Sequence, residues 1–263
     1  MGNHEALLRV FKDGSEYGVE VDRWPYSTES AEAAFARWFD HPLNGPEVSD
    51  PRRPTYKENV YSFQYGCVKT IVFNNNYWMS NQPRLYGGSP EGYLMEDQLG
   101  WIGAELKKAE ADPSVSYVFL IAQEPVFPNG GHLDDSMWYL GDNNMRAGVF
   151  KDGKLVLEKR GIVEVRNEFL AMVSSSRKVA AVLGADEHAY HRLLVTKEVP
   201  VGVLEKDDKD KNGKIDLDKK ETCSPIPGLK FSTWFLVNGG GGAPFYAEED
   251  TPWNSYWTRK ADP

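Results

Sequence analysis

Three short stretches hold most of the residues whose types and spacing suit chemistry. Gly2-Asn3-His4-Glu5 places an amide, an imidazole and a carboxylate in succession. Ala185-Asp186-Glu187-His188-Ala189-Tyr190-His191-Arg192 follows directly on the apolar run Val179–Gly184. A loop leaving a buried strand is where open α/β sheets put their sites. Asp186 and His188, two residues apart, project an oxygen and a nitrogen donor from one loop, a mixture that suits first-row divalent metals. The third stretch, Asp208-Lys209-Asp210-Lys211-Asn212-Gly213-Lys214-Ile215-Asp216, has the periodicity of a calcium loop. Asp208, Asp210, Asn212 and Asp216 stand at positions one, three, five and nine, and Gly213 permits the turn at six. Lys214 offers its backbone carbonyl, and the twelfth position is Lys219 where a glutamate is usual. The alternative for this stretch is a charged, solvated hairpin tip.

The elements that must position these groups read as α/β. Ser30 caps a short helix over residues 31–39, with Ala34, Phe35 and Trp38 on one face. Residues 60–65 and 67–73 form a hairpin about Gly66, and Cys67 reads as a buried free thiol. Residues 96–111 make the clearest helix, with Leu99, Ile102, Leu106 and Ala109 at helical spacing. Residues 115–122 and Val179–Gly184 are apolar strands of the kind buried on both faces. A helix over 162–173 lies between them. Beyond residue 199 the pattern turns to β, with 199–204 and 230–237 as paired strands around a charged insertion at 205–221. Helix, strand, loop, helix, strand is α/β grammar.

The blocks, taken in order, resemble the calcineurin-like metallophosphoesterases, the superfamily that includes the purple acid phosphatases. Gly2-Asn3-His4-Glu5 is similar to that family's third signature block, and Ala185–Arg192 to its Gly-His-x-His block. Gln98-Leu99-Gly100-Trp101-Ile102 resembles its Gln-x-x-Trp-Leu helix. The run ending in Gln123-Glu124-Pro125 resembles the strand that closes in Gly-His-His/Glu-Pro. Gly239–Gly242 resembles the glycine-rich turn near its C-terminus. The resemblance implies one domain over residues 1–263, a four-layer α-β-β-α sandwich, and a chain N-terminally truncated ahead of the blocks that supply half the metal centre. It implies metal-dependent hydrolysis of small phosphate mono- or diesters, with a dinuclear Mn, Fe, Zn or Mg centre. His4 would be the general acid, and Asn3, Gln123, Asp186 and His188 the metal positions. Gln123 and Asp186 stand where the family has histidines, so the set is hard and oxygen-rich, suited to Mn²⁺, Mg²⁺ or Ca²⁺. An impaired enzyme is therefore expected, or an inactive binding or structural module that keeps the fold. His132 is either a replacement ligand or substrate contact, or a solvated loop histidine; Arg192 is a second candidate for the substrate.

The net charge of −9 disfavours a nucleic-acid surface. No apolar run is long enough to span a bilayer. A weak calcium loop would fit a secreted or periplasmic setting. A sandwich lacking strands should expose apolar surface and a sheet edge open to self-association.

Overall fold

The computed structural model describes residues 1–2, 30–48, 50–80, 82–218 and 223–257. In chain order its helices and strands are α1 (Ala31–Trp38), β1 (Tyr61–Tyr65), β2 (Val68–Val72), α2 (Pro83–Tyr86), α3 (Glu96–Ala111), β3 (Tyr117–Ile121), β4 (Gly148–Lys151), β5 (Lys154–Leu157), α4 (Ile162–Val173), β6 (Val179–Gly184), β7 (Tyr190–Val195), α5 (Leu204–Asp207) and β8 (Thr233–Asn238). Six strands form one sheet in the order β1-β2-β3-β6-β8-β7, and β4 and β5 make a separate ribbon. The four inner strands β2, β3, β6 and β8 run parallel, with β1 and β7 antiparallel at the two sides. Among the described residues this is the only large sheet, so the second sheet of a four-layer sandwich is not part of them.

The helices form where the apolar spacing requires. On α3, Leu99, Ile102, Leu106 and Ala109 are buried with Gln98 and Glu105. On α4, Ile162, Val165, Phe169 and Val173 are buried, and Phe169 packs on Phe73 with ring centroids 5.3 Å apart. Both helices lie against one face of the sheet. A row of side chains crosses that face from strand to strand, Ile71, Leu120, Val182, Phe235 and Leu193, each no more than 4% exposed. Ser62 and Lys69 reach the same face and meet the buried Glu105 of α3, at 2.8 and 2.5 Å.

The opposite face is different. The next row, Tyr61, Val72, Ile121, Leu183, Leu236 and Arg192, keeps partial exposure at every position. In the neighbouring row of that face, Thr70 and Ala181 are buried at 8% and 5% exposure, so β3 and β6, with the continuous apolar runs of doubly buried strands, are fully buried on one face and partly buried on the other among the described residues.

The sheet's outer edges are each capped. The Asn44 side chain pairs with both backbone groups of Ser62 on β1, accepting from its N–H at 2.9 Å and donating to its carbonyl at 2.8 Å. On β7, Leu193 bridges to Trp257. Such caps block strand addition, so the structure opposes the expected self-association through an open edge.

Four other expectations are corrected. Cys67 is exposed, because it is the second residue of the two-residue turn whose first, Gly66, has φ +57°. Ser30 does cap α1, its Oγ accepting from the Ala33 N–H, but the buried face carries Glu32 and Ala33 while Trp38 is 84% exposed. Glu32 explains the choice, since its carboxylate accepts the Trp78 N–H at 2.6 Å. Residues 199–203 form no strand with β8. Pro200 has no N–H to give a ladder and Gly202 turns at φ +77°, so the contact is a single bridge to Pro225. The flank ahead of the 208–216 loop, expected as strand, is the helical turn α5.

Candidate functional site

Parallel strands that end together present their following loops side by side. Here β2 runs into Asn74-Asn75-Asn76, β3 into Gln123-Glu124, β6 into Asp186-Glu187-His188, and β8 into the glycine turn at 239–242. Backbone bonds join two pairs of these loops, the Ala185 N–H donating to the Gln123 carbonyl at 2.8 Å and the Gly239 N–H to the Ala189 carbonyl at 3.0 Å, and side chains supply further links. Gln98 of α3 grips the Asn74 backbone in both directions, accepting from its N–H at 2.7 Å and donating to its carbonyl at 2.9 Å. Asn75 and Glu124 do the same, side chain to backbone, at 3.0 and 3.1 Å. Asn76 donates to Gln123 Oε1 and, at 2.8 Å, to Glu124 Oε1. Gln123 Nε2 donates to Asp186 Oδ1 at 2.5 Å. Asp186 sits at φ +64°, a left-handed conformation aspartate tolerates.

His132 returns from the loop after β3 to this group. Its Nδ1 lies 3.1 Å from Asp186 Oδ2 and 3.2 Å from Asp135. Burial works against a charged ring, but the hydrogen bond to Asp135 and the charges of Asp186, Asp135 and Glu91 outweigh it and push His132 up to about 9. Glu124 is 1% exposed. Burial, reinforced by the charges of Asp186 and Glu91, holds its carboxyl protonated well above the usual range. Glu187 is fully buried and accepts the backbone N–H groups of Asn129 and Gly130 at 2.6 and 2.7 Å. Burial prevails over those donors and pushes it up to about 7.

The glycine turn closes over this edge. At Gly239 a Cβ would stand 1.9 Å from the Glu187 carbonyl oxygen, so only glycine permits the approach. The chain beyond places Tyr246 against two histidines, stacked on His188 at 4.2 Å and tilted to His132 at 5.5 Å.

The structure brings together Gln123, Asp186 and His132. It sends His188 elsewhere: its Nδ1 faces the Pro244 carbonyl at 2.9 Å. Arg192 points to the other side of β7, over the Trp234 ring at 5.9 Å, while His191 beside it meets Asn129 at 3.2 Å. Asn3 and His4 lie outside the described residues. Asn75, Asn76, Glu124 and Glu187 were missed as members of this site. Three successive asparagines after a strand were the signal, since buried amides must be paired.

A divalent metal does not fit the described part of the site. Gln123 turns its amide N–H, not its oxygen, toward Asp186, and the second Asp186 oxygen lies 3.1 Å from His132 Nδ1. Among the described residues no group of three or more His, Cys, Asp or Glu is placed to hold a metal. No described helix is long and apolar enough to cross a membrane.

The 208–216 loop is folded by its own carboxylates. Asp208 accepts from the N–H groups of Asn212 and Gly213 at 3.0 and 2.9 Å, and Asp216 from Lys209 at 3.0 Å. Gly213 takes φ +85°. The Lys214 ammonium pairs outward with Asp142 at 2.7 Å.

No family profile and no curated protein matches the chain. Two solved structures are similar over most of its length. Purple acid phosphatase PPD1 from yellow lupin (Lupinus luteus) seeds is 14% identical, covers 88% of this chain at a TM-score of 0.42, and is itself covered over 29%. PhoD is 13% identical, covers 90% at 0.42, and is covered over 38%. The chain thus spans well under half of either structure, and at this likeness neither assigns it an activity. What stands is a mixed α/β protein with one large, mostly parallel sheet and a polar cluster at its C-terminal edge.

Proposed function

We propose that this chain is a phosphoesterase-type protein whose strand-edge site is an impaired version of a metal-dependent hydrolase of small phosphate mono- or diesters. One observation carries the reading: Gln123 and Asp186, far apart in sequence and both matched to metal positions by the resemblance, meet at 2.5 Å across the ends of β3 and β6. The same contact is why the site is read as impaired, because the two groups satisfy each other. In this reading, as the resemblance implies, Asn3 is a metal position and His4 protonates the leaving alkoxide. The finer fold, a four-layer sandwich, requires a second sheet on the face opposite α3 and α4.

The second reading is an inactive binding or structural module. It is favoured by the carboxylates around His132, which leave the described edge acidic and unattractive to an anionic ester. Turnover separates the two. With Mn²⁺ supplied, hydrolysis of p-nitrophenyl phosphate and its bis ester is expected within about tenfold of the protein-free rate. A weak Mn²⁺-dependent rate lost in His4→Ala supports the impaired enzyme. Absence of any rate supports the module, and a robust one contradicts both.

We further propose a structural calcium ion in the 208–216 loop, held by Asp208, Asp210, Asn212, Asp216 and the Lys214 carbonyl. Titration calorimetry should give a dissociation constant of about 10⁻⁴–10⁻³ M, the weak range for such loops. The heat should vanish in Asp208→Ala with Asp210→Ala.

A further inference from the structure

We infer that the cavity between α2 and the β4–β5 ribbon binds a small organic anion, an acidic headgroup (carboxylate or phosphate) joined to an apolar body. The inference does not rest on the strand-edge site, none of whose residues lines this cavity. The walls are fixed by close backbone contact. Pro83 opens α2, and Gly87 and Gly88 turn the chain back at φ +84° and +91°. Gly88 then exchanges two backbone hydrogen bonds with Gly148 at the start of β4, at 2.9 and 2.7 Å. A Cβ at Gly148 would stand 2.0 Å from the Pro83 carbonyl oxygen, so α2 lies directly on the ribbon. The Met145 carbonyl is held in turn by the Ile162 N–H at 3.0 Å. These contacts leave a cavity of about 390 Å³, within the range of small-ligand pockets.

Three observations select the ligand. The first is charge. Arg84 and Arg146 line the cavity, and among the described residues no acid does. Neither guanidinium has an ion pair or a hydrogen bond among those residues. The carboxylates that flank Arg146 in sequence are placed elsewhere. Asp142 pairs with Lys214 at 2.7 Å, Glu158 with Lys151 at 3.2 Å, and Asp152 lies in the far turn of the ribbon. The excess is local, since residues 82–90 and 144–160 hold six Lys or Arg and two Asp or Glu in a chain of net charge −9. Such a patch attracts an anion. The second is shape, because a guanidinium presents a planar fork of donors that matches carboxylate or phosphate oxygens. The third is the rest of the lining. Leu85 is 65% exposed and shares the cavity with Met145 and Leu157. A bare inorganic anion leaves these side chains in water, whereas an apolar body covers them.

The test is titration calorimetry of the full chain with octanoate and with octyl phosphate. At least one should bind, one per chain, with a dissociation constant of about 10⁻⁴ M, within reach of a ligand of roughly ten heavy atoms. The tighter of the two identifies the headgroup. Octanol, which has the body without the charge, should bind at least about tenfold more weakly, as should acetate and inorganic phosphate, which have the charge without the body. Arg84→Gln and Arg146→Gln should each weaken the tighter ligand about tenfold. Lys151→Gln, whose ammonium faces Glu158 on the ribbon, should leave it unchanged. No binding of either amphiphile up to about 1 mM overturns the inference. So does octanol, acetate or inorganic phosphate binding as tightly, or an affinity that survives both arginine substitutions. A measurement on the unsubstituted chain guards against misfolded variants. The tighter ligand should slow phenylglyoxal modification of Arg84 and Arg146 but not of the exposed Arg177, and absence of that protection would overturn the site.

Discussion

Arg166→Ala is expected to lower stability by about 3–5 kcal/mol. Arg166 is 0% exposed. Its guanidinium lies 4.5 Å from the Trp138 ring centre, 5.5 Å from Trp253 and 5.8 Å from Phe127. It donates to the Val201 carbonyl and, at 3.2 Å, to Asn167 Oδ1. Among the described residues no carboxylate pairs with it, and burial pushes it below its usual value. The ring faces and the carbonyl compensate a desolvated cation. Alanine removes all of this, opens a cavity between three large aromatic side chains, and leaves a buried carbonyl without its donor. Arg166→Met retains most of the volume and removes the charge, so it should lose less than half as much. Urea unfolding of both variants measures the difference. An alanine variant within about 1 kcal/mol of the parent would show that water reaches the guanidinium. The consequence extends to the site, because Trp138 belongs to the loop that carries His132.

The helices and most of the sheet were legible because each has a local cause. The bounds of α3 and α4 follow from apolar spacing, and the position of α1 from the Ser30 cap. Pairing was legible only in part. The β1–β2 hairpin is local, but the partner of β8 is decided across the sheet. Its neighbours are β6 and β7, not the proline-bearing segment at 199–204. Burial within the sheet was hidden for a related reason. Val118 and Phe119 look alike in a sequence, and only the position of α3 and α4 separates the fully buried row from the partly buried one. In the site, Gln123, Asp186 and His132 meet, while His188 and Arg192 point elsewhere, in directions set by the glycine turn and by strand alternation. Glu124 and Glu187 could not be found by type, since an acid kept neutral by burial has the same letter as one in water.

Those buried acids give the second large effect: stability should fall as pH rises from 5 to 9. The folded-state values of Glu187 and Glu32 are raised to about 7, that of Glu124 is raised further, and that of His132 is raised to about 9. A raised value means that the folded state holds the proton more tightly than the unfolded chain. The associated stability is complete below the unfolded value, near 4.5 for the acids and 6.5 for His132, and is lost as pH rises through the folded one. His191, pushed down by burial, opposes this in the middle of the range. Carboxyls held low, such as Glu105 among lysines, act only below about pH 4.5. Glu187 and Glu32 alone, each titrating near 7 when folded, account for a loss on the order of 5 kcal/mol between pH 5 and 9, with the part-exposed His132 contributing less than its shift implies. Asp186→Asn identifies the source. Asparagine tolerates the left-handed backbone at 186 and removes the charge that raises His132, Glu124 and Glu187 together. In that variant the His132 ring should titrate at least tenfold more acidic by NMR, and the slope of stability against pH should flatten. A His132 titration that stays near 9 would mean that Asp135 alone holds the proton, and would remove Asp186 from the centre of the site.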